Sequence, residues 1–132
     1  MWDKKVHVKS SLTPKPGQFS LFIGRWQPLH KGHKELFNNV LEFGGNVCIA
    51  IRDVEPDEKN PYSSEEVYEN IRKEYIDLIK RGRVRVIVIP DICSVEFGRG
   101  VGYDIVEHIP PSEIGNISAT KIREELKKQG KL

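Results

Sequence analysis

No run of 18 apolar residues occurs in the 132-residue chain, so nothing in it reads as a membrane span. The lysines near the N-terminus are not followed by an apolar core, so they do not form a secretory signal. An excess of one charge is also lacking: 21 basic residues face 19 acidic ones, a formal net charge of +2. That balance argues against broad electrostatic binding of nucleic acid and leaves room only for a local basic pocket. Cysteine is scarce. Cys48 and Cys93 both lie in apolar, strand-like segments and read as two buried free thiols of a reducing, cytoplasmic compartment rather than as a disulfide. Internal repeats and low-complexity tracts are missing as well. What remains is a chain with 38% hydrophobic residues, long enough for one compact domain with a real core.

Residues 1–18 mix lysines, serines and prolines and read as a polar arm, with Val6-His7-Val8 a short edge strand. Residues 19–132 read as the domain proper. Phe19 to Gly24 (FSLFIG) is an apolar run that stops at a glycine, a buried first strand. Arg25 to His30 is a loop, because Pro28 cannot continue a central strand. Leu36, Phe37, Val40 and Leu41 recur at helical spacing and predict a helix from about Lys31 to Glu42, ended by Gly44-Gly45. Asn46 to Ile51 is a second strand, and the charged loop from Arg52 to Pro61 follows it. Ser63 or Ser64 can cap a helix that runs to about Arg81, with Val67, Ile71, Tyr75, Leu78 and Ile79 inward. Val84 to Ile89 is a third strand and Asp104 to Ile109 a further one. Ser118 to Lys128 reads as a last helix, with Ile122 and Leu126 inward.

Continuous β-branched runs joined by helices mean parallel strands covered on both faces. The expected fold class is α/β, a doubly wound, Rossmann-like parallel sheet in a single domain. Ligands of such sheets sit outside the carboxyl ends of the strands, which makes the loop after Phe19–Gly24 the first place to look.

That loop reads Gly24-Arg25-Trp26-Gln27-Pro28-Leu29-His30-Lys31-Gly32-His33. Gly24 would let a ligand approach the strand end closely. His30 and His33 are three apart and can share one face of a helix start. Gly32 between them costs a helix about 1 kcal/mol against alanine. A phosphate pressed on the first turn explains it, since helix N-termini present free N–H groups and a partial positive charge. Zinc is disfavoured, because no neighbouring pattern supplies a third ligand. A second stretch reads Gly115-Asn116-Ile117-Ser118-Ala119-Thr120-Lys121-Ile122-Arg123. Ser118 is a good N-cap, but a plain structural helix prefers acids in its first turn and this one carries Lys121 and Arg123. Two helix N-termini with basic and hydroxyl groups suit a polyphosphate.

Together these stretches resemble the nucleotidyltransferase superfamily marked by HxGH and ISxTxxR-type motifs, here His30-Lys31-Gly32-His33 and Ile117 to Arg123. The resemblance spans roughly residues 19–128. The GRxQPxHxGH form, and Asn60-Pro61-Tyr62 ahead of a helix, look most like the nicotinamide-mononucleotide adenylyltransferase branch. The stretch Phe97-Gly98-Arg99-Gly100-Val101-Gly102-Tyr103 resembles a loop of cytidylyltransferase-like members instead. The chain is also short for the adenylyltransferase branch. Glycerol-phosphate-type cytidylyltransferases carry an arginine where Glu113 aligns here, which tilts the base toward adenine over cytosine.

The resemblance implies transfer of a nucleotidyl group, AMP rather than CMP, from ATP or CTP to a small phosphorylated or hydroxyl acceptor, with release of pyrophosphate. Mg²⁺ would enter through the NTP phosphates, so no protein metal ligand is named. His30, His33, Lys121 and Arg123 would be catalytic. Gly24, Arg25, Trp26, Gly32, Ile117, Ser118 and Thr120 would border the nucleotide, with Trp26 there as a packing aromatic of core or lid. Arg52 and Arg99, with Arg25, are candidates for holding the acceptor. Asp53, Glu55, Asp57 and Glu58 read as a solvated loop, a mobile lid at most. Relatives often form dimers, so a homo-oligomer is an expectation. The alternatives are a noncatalytic nucleotide-binding or regulatory module, a CTP-dependent cytidylyltransferase and an RNA-binding role.

Overall fold

Three apolar runs of the sequence pair with one another into the sheet that organises the molecule. The computed structural model describes residues 3–8, 17–98, 102–109 and 126–128. Its elements follow in the order β1 (Asp3–Val8), β2 (Phe19–Gly24), α1 (Lys31–Leu41), β3 (Asn46–Asp53), α2 (Ser64–Glu74), α3 (Ile76–Lys80), β4 (Val84–Pro90) and β5 (Ile105–Ile109). Strands β2, β3 and β4 form a parallel sheet in that order, with Phe22 opposite Ile49 and Ile49 opposite Val86. The chain adopts the expected Rossmann-like α/β architecture.

Strand alternation decides which side chains meet the helices. Val47, Ile49 and Ile51 of β3 point to one face and are fully buried. Phe37 and Leu41 of α1 and Val67 and Ile71 of α2 close the same core, with Tyr75 and Val84 at its margin. Both crossovers therefore cover one face, as two connections of the same hand must when strand order advances without reversal. On the opposite face, Leu21 is 57% and Ile87 37% exposed. The Arg83 guanidinium fastens the amino edge, donating from Nη2 to the carbonyls of Leu41 (2.8 Å) and Gly45 (2.6 Å).

Several expectations shift in detail. The helix expected from Ser63 to Arg81 is two helices, interrupted at Tyr75 (φ −113°, ψ 19°). Tyr75 stays buried at the break, so the apolar face continues across it; burial, then the Glu74 carboxylate, push its phenol up to about 12. The strand at Ile105–Ile109 does not join the parallel sheet. It pairs antiparallel with β1, Asp3 opposite Ile109 and Val6 opposite Val106. The resulting ribbon reaches α1 through His108, whose ring lies 5.5 Å from that of Phe22 and whose Nδ1 is 3.3 Å from the Asn39 amide nitrogen. Both cysteines are free, but neither is buried: Cys48 is partly exposed and Cys93 is exposed, beyond the strand that Pro90 ends. Arg99 and the stretch Ile117 to Arg123 lie outside the described residues, as does most of the expected helix from Ser118; residues 126–128 are helical.

Candidate active site at the carboxyl end of the first parallel strand

His30 is the N-cap of α1. Its extended backbone (φ −137°, ψ 177°) aims the ring back over the first turn, where Nδ1 accepts from the Gly32 N–H at 3.0 Å. His33, three residues on, returns the bond: its Nδ1 accepts from the His30 N–H at 3.2 Å. This is the reciprocal geometry of a capping box, built from two imidazoles instead of a hydroxyl and a carboxylate. The rings stack, centroids 3.6 Å apart and planes 20° from parallel. With each Nδ1 used as an acceptor, each neutral ring carries its proton on Nε2. The pair thus offers two Nε2–H donors at the start of α1.

Electrostatics keeps both rings neutral. Burial lowers the His30 pKa from its ordinary value, and burial followed by the charge of His30 lowers His33 to about 3. No acidic residue sits in the first turn of α1 to pull them back up.

Behind the pair stands Trp26. Its backbone is left-handed (φ 52°), a region that costs a non-glycine residue of order 1–3 kcal/mol and persists only when its surroundings hold it. They do. The indole is buried, Nε1 donates to the Ala50 carbonyl at 3.1 Å, and the ring meets His33 edge-on at 4.8 Å and Phe37 at 5.2 Å. The indole N–H is therefore spent within the protein, and Trp26 serves as the wall against which His33 rests. Gly24 has a related explanation. A Cβ there would lie 2.9 Å from two ring atoms of Trp26, so the space that reads in the sequence as a ligand approach is filled by the indole.

The neighbouring loop is tied to this wall. Gln27 is buried, and its side-chain amide makes two hydrogen bonds to Tyr62: Nε2 donates to the carbonyl at 2.8 Å and Oε1 accepts from the N–H at 2.9 Å. Sequence reading passes over Gln27, because nothing local marks a glutamine as paired with a backbone 35 residues away. The acidic loop turns on Asp57, whose Oδ1 accepts from the Lys59 and Asn60 backbone N–H groups at 2.8 and 2.7 Å. These bonds, foremost that from Asn60, hold the Asp57 carboxyl below its ordinary range, with a smaller contribution from Arg25.

Of the arginines, Arg25 is exposed just past the end of β2, close enough for its charge to act on Asp57. Arg52, near the end of β3, is committed differently: Nη2 reaches Asp91 Oδ1 at 2.7 Å and donates to the Ile92 carbonyl at 2.8 Å. It pins the chain leaving β4. Gly32 is buried within the first turn of α1 between the two histidines. A shallow hollow lies on α2, lined by Tyr62, Glu65, Glu66, Glu69 and Asn70. Its carboxylates repel a polyphosphate, so the histidine tip and not this hollow is the candidate site.

Residues 21–106 match the model of the cytidylyltransferase-like family. The chain belongs to that family. The match runs from within β2 to the first two residues of β5 and takes in the whole histidine tip. A stretch of 75 residues is also 33% identical to a nicotinamide-nucleotide adenylyltransferase from Thermococcus sibiricus (strain DSM 12597 / MM 739). That stretch is 54% of this chain and only 40% of the relative's length. Both similarities point to the nucleotidyltransferase superfamily, in which HxGH is the first of two motifs.

Proposed function

We propose that this cytidylyltransferase-like chain transfers the nucleotidyl group of an NTP to a small phosphorylated acceptor and releases pyrophosphate. The observation that carries the proposal is the histidine pair, with both Nδ1 atoms locked by backbone N–H groups and both Nε2–H groups left as donors. An acceptor oxygen attacks the α-phosphorus, a P–O bond forms, and the bond to the β-phosphate breaks with its electron pair leaving on pyrophosphate. Negative charge grows on the nonbridging and leaving oxygens. Two fixed N–H donors at a helix N-terminus stabilise it without reorganisation, and a single such donor is worth roughly 10²–10³ in rate in comparable sites.

The same tautomers bear on the acceptor. Neither ring has a free basic nitrogen, because Nδ1 is engaged and Nε2 is protonated. A hydroxyl acceptor would need a base that the pair does not supply. A phosphate acceptor is already an anion and needs none, which supports the phosphorylated class over the hydroxyl class. The relative's name makes nicotinamide mononucleotide the first acceptor to try and ATP the first donor. Mg²⁺ would arrive as part of the Mg–NTP substrate. Ser118, Thr120, Lys121 and Arg123 would hold the β- and γ-phosphates with Ile117 shaping their approach, Arg25 would face the acceptor, and Arg99 is a second candidate there. Arg52, already paired with Asp91, serves to hold the strand end.

The test is pyrophosphate release by purified protein with Mg–ATP or Mg–CTP against a panel of phosphorylated and hydroxyl acceptors. Release with ATP and a phosphate acceptor, lost in His33→Asn, supports the reading. Tight NTP binding with no release for any acceptor identifies a noncatalytic nucleotide-binding module instead, and faster release with CTP reassigns the base.

A further inference from the structure

Gln27 is 3% exposed, and with Asn60 it is one of two buried polar or charged residues among those described. Its amide can donate and accept at once, and it does both with the backbone of one residue, Tyr62. A side chain here takes the part of a pairing strand. The two ends of this clamp are not arbitrary. Gln27 lies three residues before His30, the N-cap of α1, and Tyr62 lies directly before Ser63, the N-cap of α2. Local structure flanks the Tyr62 end on both sides. The Asp57 turn closes through Asn60 at 2.7 Å ahead of it, and the Ser63–Glu66 capping box follows it. On the other side of Gln27, Trp26 anchors the loop to the sheet through the Ala50 carbonyl. Successive residues thus fasten the loop in two directions, to β3 by the indole and to the entry of α2 by the amide.

The capping box of His30 and His33 fixes the two rings relative to each other, and Trp26 supports them from behind. The Lys34–Glu74 ion pair at 2.6 Å and the Phe37–Tyr75 ring contact hold α1 against the far end of α2, and the Gln27–Tyr62 clamp ties the histidine end of α1 to the start of α2. We infer that Gln27 is a positioning residue for the histidine pair: it sets the placement of the α1 tip against the α2 tip while touching neither substrate nor reacting atoms. This rests on the nucleotidyl-transfer reading above for its consequence in catalysis, and on the hydrogen bonds alone for its structural content.

Three variants test it. Gln27→Met keeps the volume and removes both hydrogen bonds; misplacement of a reacting group by a fraction of an ångström to an ångström lowers kcat by roughly 10- to 100-fold, while KM for Mg–ATP stays within about threefold. Gln27→Glu keeps the acceptor but turns a carboxylate toward the Tyr62 carbonyl. Its protonated form restores the donor, and burial raises the pKa of such an acid. Activity relative to wild type therefore recovers as pH falls from 8 to 5.5, a dependence that loss of packing alone cannot produce. Ser63→Ala removes the adjacent cap and lowers stability but leaves the clamp, and it keeps wild-type kcat. Wild-type kcat in Gln27→Met, or an equal kcat loss in Ser63→Ala at matched stability, overturns the inference. If wild-type protein releases no pyrophosphate with any acceptor, the functional reading fails separately. The ring resonances of His30 and His33 then decide the positioning role: displaced in Gln27→Met and unmoved in Ser63→Ala they support it, and unmoved in both they overturn it.

Discussion

Protonating either histidine would deprive the start of α1 of a cap, because each Nδ1 is the acceptor of a backbone N–H. Burial, then the charge of His30, holds His33 neutral in the folded state down to about pH 3, whereas the unfolded chain takes up its proton near the ordinary 6.5. Between those values the unfolded state binds more protons, so stability falls as pH drops through that window and levels off above it. Urea unfolding at pH 7, 6, 5 and 4 reads this directly, and His33→Asn should flatten the slope. Asparagine also separates the two duties of the residue. Its side-chain oxygen can accept from the His30 N–H, so the helix start survives, but the Nε2–H donor is gone. We expect His33→Asn to keep stability within about 1 kcal/mol of wild type, the scale of one cap, and to lose roughly 10²–10³ in turnover. Near-normal turnover in a stably folded variant would remove the ring from the mechanism.

The strand–loop–helix unit from β2 to α1 works as one element, and Gly24 shows how closely it is built. In Gly24→Ala the new methyl meets the indole of Trp26 at 2.9 Å. The ring is buried and hydrogen-bonded, so it cannot swing away freely. Overpacking of this kind costs roughly 1–3 kcal/mol. Because the same indole supports His33, turnover should fall further than the lost stability accounts for; thermal unfolding and kcat measured on one preparation check this. Ser63→Ala is the contrasting case, with a loss of about 1 kcal/mol and kcat unchanged. Ser63 is legible in the sequence because capping is local: Ser63 and Glu66 lie three apart before an apolar face. The role of Gly24 is not legible, since it depends on a tryptophan two residues on whose left-handed backbone folds the ring back over the strand. The break at Tyr75 is equally silent. It carries no glycine or proline, and the apolar spacing that predicts one helix is satisfied by two.

At the scale of the molecule, the parallel sheet is legible because its signal is local and redundant, three continuous apolar runs separated by amphipathic helices. Long-range partners are not: β1 finds β5 about a hundred residues away, and Arg52 finds Asp91 just past the end of the neighbouring strand, neither announced by spacing. The histidine tip is visible as residue types, but its tautomers and buttress emerge only from the fold. A ligand that engages this tip must stabilise the whole molecule, since it binds the native state alone. At a concentration one hundred times its Kd, a nucleotide contributes about 2.7 kcal/mol, on the order of a 10 °C rise in Tm for a domain of this size. We expect Mg–ATP to give that rise at a lower concentration than Mg–CTP. His33→Asn should shrink the rise only modestly, because its donor acts chiefly on charge that develops during reaction. Arg123→Ala should shrink it more, because a guanidinium on the terminal phosphates would act in the ground state as well. Differential scanning fluorimetry across a nucleotide titration separates these outcomes: a larger shift with CTP reverses the base preference, and an unchanged shift in Arg123→Ala removes the second motif from the nucleotide site.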